Sequence, residues 1–218
     1  MFSYYGGKSK IIKYYPMPKY NTIIEPFAGS ARYCLRFFEK QCWINDSYNT
    51  IYNIWNWIQN AKTEDLNKFP NIQKGQDIRN FNLDKPIEQL LGFAINYSVP
   101  YPHYIYTTWA ARDNEILRLK KRLLKYIEKL GHWKITNEDY LKLPNIEATW
   151  FIDPPYQFGG KRYIKNKINY KELAEWCKSR KGQIIVCENS KANWLPFVPL
   201  KEMWGQRHKT MEMIWTNN

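Results

Sequence analysis

Asn21–Asp46, NTIIEPFAGSARYCLRFFEKQCWIND, is the stretch whose reading decides the fold. Its opening residues, Asn21 to Glu25, are a short β-branched run that stops at Pro26 and Gly29, as a buried strand entering a turn does. A helical stretch follows from about Ala31 to Lys40, and Cys42 to Asp46 reads as a second strand ending on an acid. Strand, glycine-bearing turn, helix and acid-tipped strand make a nucleotide-type βαβ unit. In such a unit the acid sits about twenty residues past the turn and hydrogen-bonds a ribose. The turn alone is a weak signal; the turn together with Asp46 is a stronger one.

Working outward, a Tyr/Trp-rich helix runs on from about Ser47, and then the alternation breaks. Residues 60–132 are punctuated by Pro70, Gly75, Pro86, Pro100 and Pro102 and lack strand signals. Two helices are predicted there, one around Ile87 to Tyr97 and a longer one around Asn114 to Leu130. The second carries Ile116, Leu119, Leu123, Ile127 and Leu130 at helical spacing, with Gly131 as a stop. Arg118, Arg122, Lys125 and Lys129 line another face of it, either as a solvated basic face or as a track for phosphates. Tyr97 to Trp109 has no periodicity and reads as a surface loop, where recognition residues tend to sit. Beyond it the α/β pattern returns. Strands are predicted at Trp133 to Thr136, Thr149 to Ile152 and Gln183 to Cys187, a helix at Tyr170 to Ser179, and a hairpin from about Met203 to Trp215. The expected architecture is one α/β domain, with helices on both faces of its sheet, from residues 1–59 and 133–218. It carries a small, mainly helical insertion at 60–132.

The 218 residues carry a net charge of +13, and 17% of them are aromatic. Such a balance points to a polyanionic partner, nucleic acid before an anionic membrane surface, and surface rings beside positive charge suit stacking on unpaired bases. The N-terminus has no apolar core of a secretory signal, and the longest apolar runs are strand-length, so neither secretion nor a membrane span is expected. Cys34, Cys42, Cys177 and Cys187 show no CxxC spacing and read as buried free thiols, and His103, His132 and His208 form no ligand cluster. The expected setting is cytoplasmic and metal-free.

Asp153-Pro154-Pro155-Tyr156 is the sharpest chemical signal, directly after the apolar strand Trp150-Phe151-Ile152. Loops at the carboxyl ends of strands in open α/β sheets bind ligands. Two prolines stiffen the backbone and remove two N–H donors, so carbonyl acceptors are rigidly presented. An exocyclic amino group has two hydrogens to place, one on the Asp153 carboxylate and one on the Pro154 carbonyl. Holding both out of conjugation favours the pyramidal geometry in which an aniline-like nitrogen attacks. Tyr156 can stack on the base once it has left the helix. A proline-stiffened turn with an Asp cap is the bland alternative. Gln157 to Lys167 follows with two glycines and the cations Lys161, Arg162, Lys165 and Lys167, a candidate clamp on DNA phosphates or simply an exposed basic loop.

Tyr4-Tyr5-Gly6-Gly7-Lys8, the EPFAGS turn, CWIND and DPPY occur in the order seen in Dam-like, alpha-group DNA adenine-N6 methyltransferases, and the chain resembles that family. The resemblance extends to Asn137-Glu138-Asp139-Tyr140 and to a Glu-containing C-terminal strand, Met211 to Asn217. It implies a Rossmann-like S-adenosylmethionine-dependent methyltransferase sheet, with the target-recognition insertion between the cofactor half and DPPY. It further implies contacts to S-adenosylmethionine from Tyr4, Lys8, Pro26, Phe27, Ala28, Gly29, Asp46, Asp139 and Tyr140, and target-base binding by the tetrad. The chain departs from the family pattern at Ala31, where a second glycine is common, and at Tyr4, where the best-known members have Trp. The implied reaction is direct transfer of the sulfonium methyl to adenine N6 in double-stranded DNA, with a companion restriction endonuclease as a partner such enzymes can have. Asp at the first tetrad position favours adenine over cytosine. An RNA adenine methyltransferase and a non-catalytic DNA-binding subunit on the same fold are the competing readings.

Overall fold

The computed structural model describes residues 1–96, 99–204 and 209–217. Thr22–Glu25 forms β1, Arg32–Arg36 α1, Gln41–Asn45 β2 and Asn49–Asn60 α2. Helix α1 is shorter than the stretch expected from Ala31 to Lys40. Ala31 enters it in the left-handed region (φ 45°), and the Phe37 N–H bonds back three residues to Cys34, tightening the chain toward β2. The remaining strands are β3 (Lys134–Thr136), β4 (Ala148–Ile152), β5 (Gly182–Asn189), β6 (Val198–Trp204) and β7 (Lys209–Thr216). The hairpin thus begins earlier than Met203, and residues 205–208 at its centre lie outside the described residues, His208 among them.

The seven strands form one sheet in the order β3-β2-β1-β4-β5-β7-β6. β1 to β5 pair in parallel, while β7 runs antiparallel to both β5 and β6. This is a Rossmann-like, doubly wound α/β arrangement. The strand order reverses between β1 and β4, and the crevice outside their carboxyl ends is where such sheets bind ligands.

Period-two alternation sorts the strand residues onto two cores. Ile23, Ile44, Phe151, Ile185, Cys187 and Ile214 face one side, where Ile51, Ile54, Trp55 and Ile58 of α2 cover them. Ile24, Trp43, Trp150, Ile152, Ile184 and Val186 face the other, covered by Leu173, Ala174, Trp176 and Cys177 of the helix Tyr170–Ser179. Each isoleucine, valine, leucine or phenylalanine among them contributes roughly 1.5–3 kcal/mol on full burial. All four cysteines are free and buried. Among the described residues no helix is long and apolar enough to cross a membrane.

Residues 60–132 add α3 (Lys85–Ala94), α4 (Thr108–Arg112) and α5 (Glu115–Leu123), with Tyr170–Ser179 then α6. Their apolar residues join the core on the α2 side of the sheet. The long helix expected to reach Leu130 ends at Leu123. After it the chain tightens into three-residue turns, Lys125 N–H to Arg122 O and Tyr126 N–H to Leu123 O, and Glu128 turns left-handed at φ 68°. Ile127 and Leu130 are buried all the same. The stretch from Tyr97 to Trp109 is not wholly a surface loop. Tyr97 and Ser98 lie outside the described residues, but Tyr106 is buried, Ile105 bridges to Asp77, and Thr107 caps α4, which takes in Trp109.

Candidate active site

Asn45 builds the floor of the site. It is buried at the end of β2, and its amide donates to the carbonyls of Pro26 and Glu138, both at 3.0 Å. Its carbonyl accepts from the Glu138 N–H at 3.0 Å and the Thr136 hydroxyl at 2.8 Å. All four bonds of one buried amide thereby tie together the ends of β1, β2 and β3.

On that floor the 25–30 turn meets Asp46. The Gly29 N–H donates to Asp46 Oδ2 and the Tyr48 N–H to Oδ1, both at 2.9 Å. Gly29 sits at φ 47°, and a Cβ there would stand 2.9 Å from the Tyr4 ring, so only glycine fits. The Trp55 indole N–H holds the Gly29 carbonyl at 2.8 Å from α2. Tyr4, Ala28, Gly29, Asp46 and Lys8 line one cavity. Burial pushes the Asp46 carboxyl up to about 6, against the pull of the two N–H donors. Two N–H bonds leave it further lone pairs, enough for hydroxyl donors. Glu25, buried beneath the turn, accepts the Cys34 N–H at 2.5 Å, and burial pushes its carboxyl up to about 8 against the pull of that donor.

An adjoining cavity of about 470 Å³ is lined by Pro26, Phe27, Asp139 and Tyr140. The Phe27 and Tyr140 rings lie 5.1 Å apart, and Trp176 backs Tyr140 edge-on at 5.2 Å. Asp139 spends Oδ1 on the Leu141 N–H at 3.0 Å. Phe27, Ser47 and Lys165 line both cavities, so the two form one groove along the switch point.

The tetrad closes one end of this groove. Pro154 and Pro155 are buried, and the Pro155 carbonyl accepts the Tyr170 hydroxyl at 2.7 Å. The Lys8 ammonium stands 2.9 Å from Asp153 Oδ1 and 4.6 Å from the centre of the Tyr156 ring. Burial would lower the Lys8 pKa, but Asp153 and Glu212 outweigh it and hold Lys8 above the ordinary range. Asp153 is raised by burial, with Lys8 opposing. Glu212 of β7 accepts the Tyr156 hydroxyl at 2.5 Å.

The loop after the tetrad lies across the N-terminal motif. The Tyr163 hydroxyl donates to the Tyr5 carbonyl at 3.0 Å, and its ring packs on Tyr4 and Tyr5. Lys165 and Lys167 line the groove, while Lys161 and Arg162 are exposed. Arg118 and Arg122 are engaged elsewhere, at 3.1 and 3.0 Å from the carboxylate of the buried Glu115. The structure therefore brings the residues of the N-terminal motif, the turn, Asp46, Asp139-Tyr140 and, from the tetrad, Asp153 and Pro155 to one groove, with Tyr156 against Lys8, and leaves Arg118 and Arg122 outside it. Sequence reading passed over Glu25, Asn45, Tyr163 and Glu212. Glu25 stands in the EPFAGS turn, Asn45 in CWIND, Tyr163 in the loop after the tetrad and Glu212 in a strand marked by the resemblance, but sequence alone assigns none of them a role of its own.

Among curated proteins none matches the sequence. Solved structures similar to the chain include the following three. A protein from Escherichia coli described as the methyltransferase yhhF is 10% identical, with a TM-score of 0.36, over 88% of this chain and 74% of that one. One from Haemophilus influenzae described as a methylase is 13% identical, with a TM-score of 0.39, over 90% and 86%. One from Pseudomonas syringae described as a methyltransferase is 10% identical, with a TM-score of 0.37, over 93% and 91%. Residues 4–82, which hold the N-terminal motif, the glycine turn and Asp46, match the family model of the D12 class N6 adenine-specific DNA methyltransferases, in agreement with the family that the motifs resemble.

Proposed function

We propose that the protein is a site-specific DNA adenine-N6 methyltransferase that uses S-adenosylmethionine. The family match over residues 4–82 supports methyltransferase activity. The single observation that carries the finer reading is the ammonium of Lys8, held by the Asp153 carboxylate over the Tyr156 ring. An amino group on a flat ring needs those same two partners. Lys8 therefore stands in for the target amino group and must shift when a base enters.

The groove fits the cofactor. Gly29 lets a ligand approach the backbone, Asp46 offers a carboxylate to ribose hydroxyls, and Phe27 and Tyr140 flank a slot in which Asp139 can accept from an adenine amino group. Tyr4, Pro26 and Ala28 complete its walls. Bound there, S-adenosylmethionine supplies an electrophilic sulfonium methyl. Asp153 and the Pro154 carbonyl hold the two hydrogens of N6, the Pro155 carbonyl being taken by Tyr170. Tyr156 stacks on the base. The Asp153 carboxylate accepts the proton that N6 sheds once the nitrogen–methyl bond has formed.

Residues 60–132 would read the target sequence, and residues 1–59 and 133–218 would perform the transfer. The net charge of +13 supports a polyanionic partner, on this reading duplex DNA. Lys161, Arg162, Lys165 and Lys167 would meet phosphates; Arg118 and Arg122 would do so with part of their charge offset by Glu115. A companion endonuclease would recognise the same site. Incubation with labelled S-adenosylmethionine and duplex DNA or RNA, followed by nucleoside identification, tests the reading. N6-methyladenine in DNA is expected; label in RNA alone, or in cytosine, overturns it.

A further inference from the structure

Glu212 stands on β7 opposite Asn189 of β5, two residues from the buried Ile214. Residues two apart share a face, so Glu212 points to the side of the sheet that carries Asp153 and Lys8. Its Oε1 accepts from the Tyr156 hydroxyl and from the Tyr15 hydroxyl, both at 2.5 Å, and lies 3.6 Å from Lys8 Nζ. Tyr15 is buried and braced edge-on against Phe151. A glutamine could accept from both tyrosines equally well. Only Lys8 calls for the charge.

Lys8 lies between two carboxylates, 2.9 Å from Asp153 and 3.6 Å from Glu212, and is 7% exposed. A target amino group that takes Asp153 removes the nearer counter-ion. A buried ammonium left without a partner is strongly destabilising. A short shift toward Glu212 keeps it paired and clears the Asp153 oxygen.

We infer that Glu212 is a positioning residue of the transfer site, which fixes the Tyr156 ring through its hydroxyl and keeps Lys8 paired while the target amino group occupies Asp153. The second half rests on the proposed function for what displaces Lys8. Asp153→Asn mimics that displacement without any substrate, because it removes the nearer charge.

The test follows the Lys8 ammonium by NMR titration of lysine-labelled protein, its signal assigned by Lys8→Arg. Tyr15, Tyr156, Tyr163, Cys187, Glu25 and Glu188, titratable groups that face Lys8 or Asp153, stay unchanged in every arm. In Asp153→Asn, Lys8 is expected to remain charged at neutral pH, paired with Glu212. Adding Glu212→Gln should lower its pKa by about one unit or more, a tenfold change in proton affinity. Equal titration in the single and double variants overturns the inference. In single-turnover assays Glu212→Gln should slow transfer about ten- to a hundredfold, the loss for a charged hydrogen-bond partner, with cofactor affinity unchanged. Glu212→Ala should be slower still, and Glu212→Asp should restore part of the rate. A Gln variant as fast as the parent chain also overturns the inference. If the parent chain methylates no nucleic acid, the proposed function fails, and the titration still decides the role of Glu212.

Discussion

On the proposed reading Asp153 serves the transfer and not the binding of the cofactor, and a single substitution tells the two apart. In Asp153→Ala the amino group loses its acceptor, and the transfer rate should fall by about a hundredfold or more, as when one preorganised polar contact to the reacting group is removed. S-adenosylmethionine should still bind, because Gly29 and Asp46 are untouched; calorimetry alongside the transfer assay checks both halves. Near-normal turnover would sink the mechanism. Asp46 gives a pH prediction. Its carboxyl titrates at about 6, raised by burial. On the proposed reading the ionised form would accept from both ribose hydroxyls, so cofactor affinity should be full well above pH 6 and weaken as pH falls through about 6. Asp46→Asn should bind weakly at every pH and lose that step, as titration calorimetry across pH 5 to 8 would reveal. At this scale the tetrad and Asp46 were legible from their neighbours in the chain. Glu25, Asn45 and Glu212 were not, because a buried polar residue shows its partner only after folding.

Two elements carry their own tests. β5 opens on Gly182 at φ 99°, where a Cβ would stand 2.2 Å from the Ala148 carbonyl oxygen of β4. Neither backbone can yield without opening the central pairing. Gly182→Ala should therefore destabilise the fold by about 3 kcal/mol, read as a lower denaturant midpoint at unchanged slope. The loop after the tetrad offers Lys161 and Arg162 to solvent while Tyr163 anchors it to Tyr5. Lys161→Ala/Arg162→Ala should weaken DNA binding and reduce the log–log salt slope by about 2, with the groove intact. Unchanged affinity and turnover would leave it as a roof over the groove and nothing more. Sequence periodicity located most elements within a few residues. It overextended α1 and α5, since apolar spacing persists through tight turns that bury Ile127 and Leu130 without an α-helix.

Over the whole molecule, the charge of +13 should make DNA binding steeply salt-dependent. Four phosphate contacts from the loop predict a log–log slope of about −3.6 or steeper, which filter binding between low and physiological salt would measure. A slope near zero would argue against a backbone grip. The sequence alone determined the βαβ unit, the tetrad at a strand end and the basic balance, because strand alternation, turn residues and charge are local or additive properties. Only the tertiary structure decided that Lys8 occupies Asp153, that Glu212 joins Tyr15 across 197 residues of chain, and that Arg118 and Arg122 belong to Glu115. Those pairings depend on which strands become neighbours and which faces they turn inward, and the strand order is fixed only when the sheet forms.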